Sequence, residues 1–98
     1  MSGQLSFIKE YETYCPQIKA YNDRNECMQI HVRFPIVMTD LSGSKKRIRY
    51  DMVEKTEGGA QVARARSEDR YGNQFEIVDV WRESKQGICI ERTVKAVK

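Results

Sequence analysis

Phe75, Ile77 and Trp81 fall on one side of the strand-like run Phe75-Glu-Ile-Val-Asp-Val-Trp81, and Asp79 falls on the same side. A carboxylate set among such residues requires a partner, because a buried charge without one is strongly disfavoured. Arg92 can supply it, from the matching face of the run Ile88-Cys-Ile-Glu-Arg-Thr-Val-Lys-Ala-Val97. Read structurally, Asp79 and Arg92 form a buried or half-buried ion pair. Read functionally, they are the polar elements of a ligand groove. Tyr71 and Trp81 are the aromatic candidates beside them, since flat rings stack on sugars and bases. The competing place for a lone tryptophan is the core.

Other chemistry is sparse. His31 is the only histidine, so any Ser/His/Asp or Cys/His mechanism would run through it. Its position between Ile30 and Val32, on the polar side of an alternating run, suits a solvated ring better. No calcium-loop pattern and no zinc-like cysteine spacing is present. No metal, cofactor or catalytic residue is therefore assigned, and the chain is read as a non-enzyme. Basic residues form two groups: Lys45, Lys46, Arg47 and Arg49, then Arg64, Arg66 and Arg70. If their strands were adjacent, these groups could track a phosphate backbone with Tyr71 stacking on a base. The bland alternative is a solvated or edge-protecting sheet face.

The elements that must position these residues are strands. Met28, Ile30, Val32, Phe34, Ile36 and Met38 alternate with polar residues, and Pro35 interrupts the donors on the other side. Ile48, Tyr50 and Met52 repeat the pattern. Strands are expected near residues 28–38, 46–54, 60–67, 74–82 and 88–97. The turns between them carry the Asp, Asn, Ser and Gly that turns require, as in 22–26, 40–44, 56–59 and 68–73. Arg82-Glu-Ser-Lys-Gln-Gly87 closes a C-terminal hairpin. Residues 5–15 admit two readings. Leu5, Ile8, Glu12 and Cys15 share a helical face that Pro16 would end, whereas Ser6 to Tyr14 is rich in strand-favouring aromatics. The extended form is preferred, with a short strand at 17–21 after it. The expected core joins the even faces of the first two runs to Phe75, Ile77, Trp81, Ile88, Ile90, Val94 and Ala96.

Ninety-eight residues suit a single β domain over 1–98. The hydrophobic fraction is 40% and the charged fraction 32%, with 17 basic and 14 acidic residues. A net charge of +3, spread among so many acids, argues against a dedicated nucleic-acid binder. Three cysteines cannot all pair within one chain, which points to a reducing compartment; a Cys15–Cys27 disulfide stays an alternative. Cys89, flanked by isoleucines, reads as a small buried hydrophobe. No apolar run approaches the ~20 residues of a membrane helix. No signal peptide is visible, which implies a cytoplasmic protein if the reading frame is complete and an excised piece if its parent is secreted.

The segments Glu68-Asp-Arg-Tyr-Gly-Asn-Gln-Phe-Glu-Ile-Val-Asp-Val-Trp81 and Gly87-Ile-Cys-Ile-Glu-Arg-Thr-Val94 resemble the N-terminal β-sandwich modules of large bacterial carbohydrate-active enzymes. In such enzymes catalysis lies in another domain, so the resemblance implies a non-catalytic module and carries over no site residue. The expectation is an all-β fold, a small antiparallel sandwich or one curved sheet, with a short N-terminal helix as the variant. Its leading function is to bind a carbohydrate or support its binding. The competing function is protein interaction through an edge strand, as an inhibitor, an adaptor or a homodimer. Weak nucleic-acid binding by the basic face ranks third.

Overall fold

The computed structural model describes residues 2–97, all in strands, turns and connectors. Nine strands follow one another: β1 Ser2–Glu10, β2 Thr13–Tyr21, β3 Cys27–His31, β4 Ile36–Thr39, β5 Lys45–Ile48, β6 Met52–Lys55, β7 Gln61–Glu68, β8 Gln74–Ser84 and β9 Gly87–Ala96. They form a three-stranded sheet β1-β2-β3, a two-stranded ribbon β4-β5 and a four-stranded sheet β6-β7-β8-β9, with every pairing antiparallel. The fold is thus all-β and made of separate open sheets. Among the described residues there is no helix, so none long and apolar enough to cross a membrane.

Local chemistry explains the meander. Four hairpins close with the same five-residue loop: Asn22–Glu26, Asp40–Ser44, Thr56–Ala60 and Asp69–Asn73. In each, the first amide donates to the fifth carbonyl and the fourth amide to the first carbonyl. The fourth residue is left-handed: Asn25 at φ 61°, then Gly43, Gly59 and Gly72 at φ 82° to 88°. This is a type I turn completed by a left-handed residue, where glycine or asparagine is least strained. In three of the loops the first side chain also accepts from the third and fifth amides, through Asn22, Asp40 and Asp69. The turn signals in the sequence are therefore one motif used four times.

The N-terminal segment is extended throughout, but it is a hairpin rather than one strand. β1 and β2 pair from Ser2↔Tyr21 to Glu10↔Thr13, around a turn at Tyr11 and Glu12. Two of the expected longer strands are divided. The run 28–38 breaks between β3 and β4, with Pro35 in the gap, and 46–54 breaks between β5 and β6. The second break changes which residues point inward, from Ile48 to Val53, whereas before the first break β3 is left uncovered along its whole length. Met28 is 64% exposed, and Ile30, Phe34 and Met52 are exposed as well, whereas Ile36 and Tyr50 are buried. Alternation is clear in the covered strand β8, but bends and the limits of the covering layers interrupt it elsewhere, which is why a face read over ten residues fails.

The core joins Ile36, Tyr50, Ala63, Ala65, Ile77 and Trp81, with Leu5, Phe7, Ile18, Met38, Val53, Phe75 and Ile88 packed against it. Phe7 meets Tyr50 and Trp81 edge-on at 6.0 and 5.8 Å, clamping the first sheet onto the third. A paired bridge between Tyr14 and Tyr50 ties the first sheet to the connector between β5 and β6 by backbone hydrogen bonds of 2.8 and 3.0 Å. At ~1.5–3 kcal/mol per well-buried large apolar side chain, this cluster supplies much of the stability. Besides Met28, Ile30, Phe34 and Met52, three more residues expected in it lie outside. Ile90, Val94 and Ala96 are exposed on β9, because the overlying layer ends before it covers that strand.

Candidate functional site

Asp79 and Arg92 stand opposite each other on β8 and β9. Asp79 is completely buried, and Arg92 grips both carboxylate oxygens at 2.8 Å while donating to the Pro35 carbonyl, also at 2.8 Å. The Tyr50 hydroxyl donates to Asp79 Oδ2 and accepts from Trp81 Nε1 at 3.0 Å. Burial first, then the bond to Asp79, pushes the Tyr50 phenol well above its ordinary pKa. The hydrogen bond to Asp79 likewise raises Arg92. Asp79, Arg92, Tyr50 and Trp81 each find their partners inside the protein, so the arrangement is a tie between layers. Trp81 is 2% exposed, with its one polar atom engaged, and it presents no face to a ligand. The sugar or base platform expected from Tyr71 and Trp81 therefore does not form. Tyr71 is 70% exposed in the Asp69–Asn73 loop, with the Arg70 guanidinium 5.8 Å from its ring centre.

The basic residues are dispersed. β5, carrying Lys45, Lys46 and Arg47, belongs to the two-stranded ribbon, and β7, carrying Arg64 and Arg66, to the four-stranded sheet. Arg64 and Arg66 reach Glu76 at 3.9 and 3.6 Å. Arg70 pairs with Asp40 at 3.0 Å, and Lys46 donates to the Glu68 carbonyl at 3.2 Å. Arg49 lies against Glu10, the Arg33 carbonyl and the Phe34 ring. The two basic groups thus belong to different sheets and meet only where the ribbon approaches the β7–β8 hairpin, at Lys46, Arg66 and Arg70, with the carboxylates of Glu10, Asp40 and Glu76 set among them.

Three features of the surface remain open to a partner. The first is the outer edge of β9. Val97 donates its N–H to the Gln74 carbonyl, so antiparallel alternation turns the odd-numbered residues of β9 toward β8. The N–H and C=O groups of Ile88, Ile90, Arg92, Val94 and Ala96 then face outward. Beside them Ile90 and Val94, 50% and 57% exposed, overhang the core. The second is a cleft of about 240 Å³ between the β4–β5 ribbon and the end of the β7–β8 hairpin. Met38 and Phe75 line it, Lys46, Arg70 and Glu68 stand among its polar residues, and the lining as a whole carries as many carboxylates as cations. The buried Ser67 hydroxyl, also in its wall, has no hydrogen-bond partner among the described residues.

The third was not visible in the sequence. On the outer face of the first sheet, Cys15 Sγ lies 3.1 Å from His31 Nε2, with the Glu10 carboxylate beside them. His31 is exposed, as expected of it, yet it leans on a thiol sixteen residues earlier. Only the pairings Glu10↔Thr13 and Gln17↔His31 place both neighbours diagonal to Cys15. All three cysteines are free; Cys15 is buried and Cys27 exposed, and Cys89 is exposed rather than buried because β9 is uncovered on that side too.

No protein-family model matches the chain, and comparison with curated proteins and with solved structures yields no match.

Proposed function

We propose that the chain is a non-catalytic binding module that captures an extended polypeptide segment along β9. The observation that carries this reading is the combination at that edge of outward backbone donors and acceptors with exposed Ile90 and Val94. Main-chain pairing supplies affinity in strand addition, and alternate side chains supply specificity. Natural edges are commonly blocked by bends, prolines or covering loops, and this ten-residue strand carries no proline. Arg92 is already held by Asp79, so the partner segment needs apolar side chains at alternate positions and no acid opposite it. A second copy is a poorer occupant, because two-fold pairing centred on Ile90–Val94 would set Arg92 against Arg92.

Selection from a displayed random-peptide library tests this. Enriched peptides should alternate apolar and polar residues, and their binding should slow amide exchange at Ile90, Arg92 and Val94. Val94→Pro removes one outward donor while leaving the pairing with β8, and should abolish capture. Peptides that bind this variant unchanged, or that protect another strand, would overturn the proposal.

The cleft favours a second reading, a small carbohydrate site. Its balanced charges, the Phe75 and Met38 side chains and the unpartnered Ser67 hydroxyl suit a neutral sugar ring better than an anion. Titration with neutral monosaccharides, followed through chemical shifts of Ser67 and Phe75, should show saturable perturbation that Phe75→Ala removes. Flat titrations would dismiss this reading and leave the β9 proposal intact.

A further inference from the structure

From the geometry on the outer face of the first sheet we infer that Glu10, Cys15 and His31 form a tridentate site for a divalent transition metal, with Zn²⁺ as the best match. Three strands each contribute one ligand: Glu10 at the end of β1, Cys15 in the central strand β2 and His31 at the end of β3. Their donor atoms all lie within 4.8 Å of one another. Thiolate, imidazole and carboxylate together are the donor set that zinc takes. Zinc–sulfur and zinc–nitrogen bonds of about 2.3 and 2.0 Å, at a tetrahedral angle, separate the two donors by roughly 3.5 Å. The present 3.1 Å between Sγ and Nε2 therefore needs only a few tenths of an ångström of opening. His31 is exposed, so its ring can swing outward to admit the ion without disturbing packed neighbours.

The charges also fit. A thiolate and a carboxylate neutralise a divalent ion, with the imidazole neutral and the thiol proton released to solvent on binding. Arg49, 3.4 Å from Glu10 Oε2, is placed to steady the carboxylate from outside the site, as groups behind metal ligands commonly do. Without a metal, burial first and then Glu10 raise the Cys15 pKa, while Arg49 and Arg33 pull it down. Three protein ligands leave a fourth position for water or a partner's donor.

Cobalt(II) is the probe of choice, because its thiolate charge-transfer and tetrahedral d–d bands report the ligand set. Metal-free protein carrying Cys27→Ser and Cys89→Ser should bind one Co²⁺ per chain with both signatures, and Zn²⁺ should displace it. In that background His31→Gln should weaken binding by at least about tenfold, the loss that removal of even an outer-shell partner can cause. Cys15→Ser should erase the charge-transfer band. His31 is exposed, so its variant keeps the test decisive even if the buried Cys15 variant misfolds. A protein lacking Cys27 and Cys89 that shows no charge-transfer band, or a His31→Gln variant that binds as tightly as its parent, would overturn the site.

Discussion

Two aspartate–arginine pairs sit in this small protein, Asp79–Arg92 within the sheet and Asp40–Arg70 at its loops, and they do different work. Both are gripped by arginine at 2.8 to 3.3 Å, and both carboxylates accept from a hydroxyl as well. Asp79 has no access to water, so Arg92 and Tyr50 supply all the side-chain hydrogen bonds its carboxylate receives. Asp40 keeps partial access to water, and its main task is to organise a turn through the Ser42 and Ser44 amides. A buried pair is costly to break, because one partner's removal strands a charge in a medium that cannot hydrate it. A surface pair loses little, since water and salt replace the missing partner. Identical residue types thus act as a layer tie in one place and a loop fastener in the other.

The sharpest way to break the comparison is to remove the cation that faces the buried carboxylate. Arg92→Ala should destabilise the protein by about 3–5 kcal/mol, read by urea denaturation, because Asp79, shut off from water, keeps only the Tyr50 hydroxyl. A loss below about 1 kcal/mol would show that water reaches the pair. Tyr50→Phe should cost less, about 1–3 kcal/mol, since Asp79 keeps Arg92 while Trp81 Nε1 is left without an acceptor. Blue-shifted tryptophan emission should persist in that variant, because the ring stays buried among Phe7 and its neighbours.

Arg70→Ala should move the thermal midpoint only slightly, several-fold less than Tyr50→Phe. A shift as large as that of the buried variants would mean the loop pair is coupled to the core. The smallest effect is a titration. The Ser42 hydroxyl first, then Arg70 and the loop amides, hold the Asp40 pKa down at about 2. A depressed carboxylate stabilises the fold above the unfolded pKa of about 3.9, and that contribution is lost as pH falls through the folded value. Carbon-13 detection of the Asp40 carboxyl should place its midpoint at about 2, and Arg70→Ala should raise it only part of the way toward the ordinary value. Asp69 is lowered through Asn73 and its loop amides in an equivalent turn, so it should titrate below the ordinary range in both proteins.

Much of this was legible along the chain. Four of the loops carried their chemistry in four or five adjacent residues, and the β8–β9 hairpin announced both its alternation and the Asp79–Arg92 register, whereas the turn at Tyr11 and Glu12 was hidden inside one extended run. The errors cluster where the chain bends. A single face was traced through Met28 to Met38, but the break at Pro35 gave Ile30 and Ile36 different fates. The exposure of Ile90 and Val94 was equally hidden, because how far one layer extends over another is not written in either strand.

What the sequence alone determined is local: an all-β chain, the four Gly- or Asn-bearing turns, the alternation of the β8–β9 hairpin and the need of Asp79 for a cation. These follow from backbone sterics and short-range hydrogen bonding, which act over a few residues. Only the tertiary structure decided which apolar residues are covered, that Tyr50 completes the buried network, that the basic residues are scattered, and that Cys15, His31 and Glu10 converge. Those outcomes rest on register and layer overlap, where a shift of one residue turns every side chain of a strand to the opposite face.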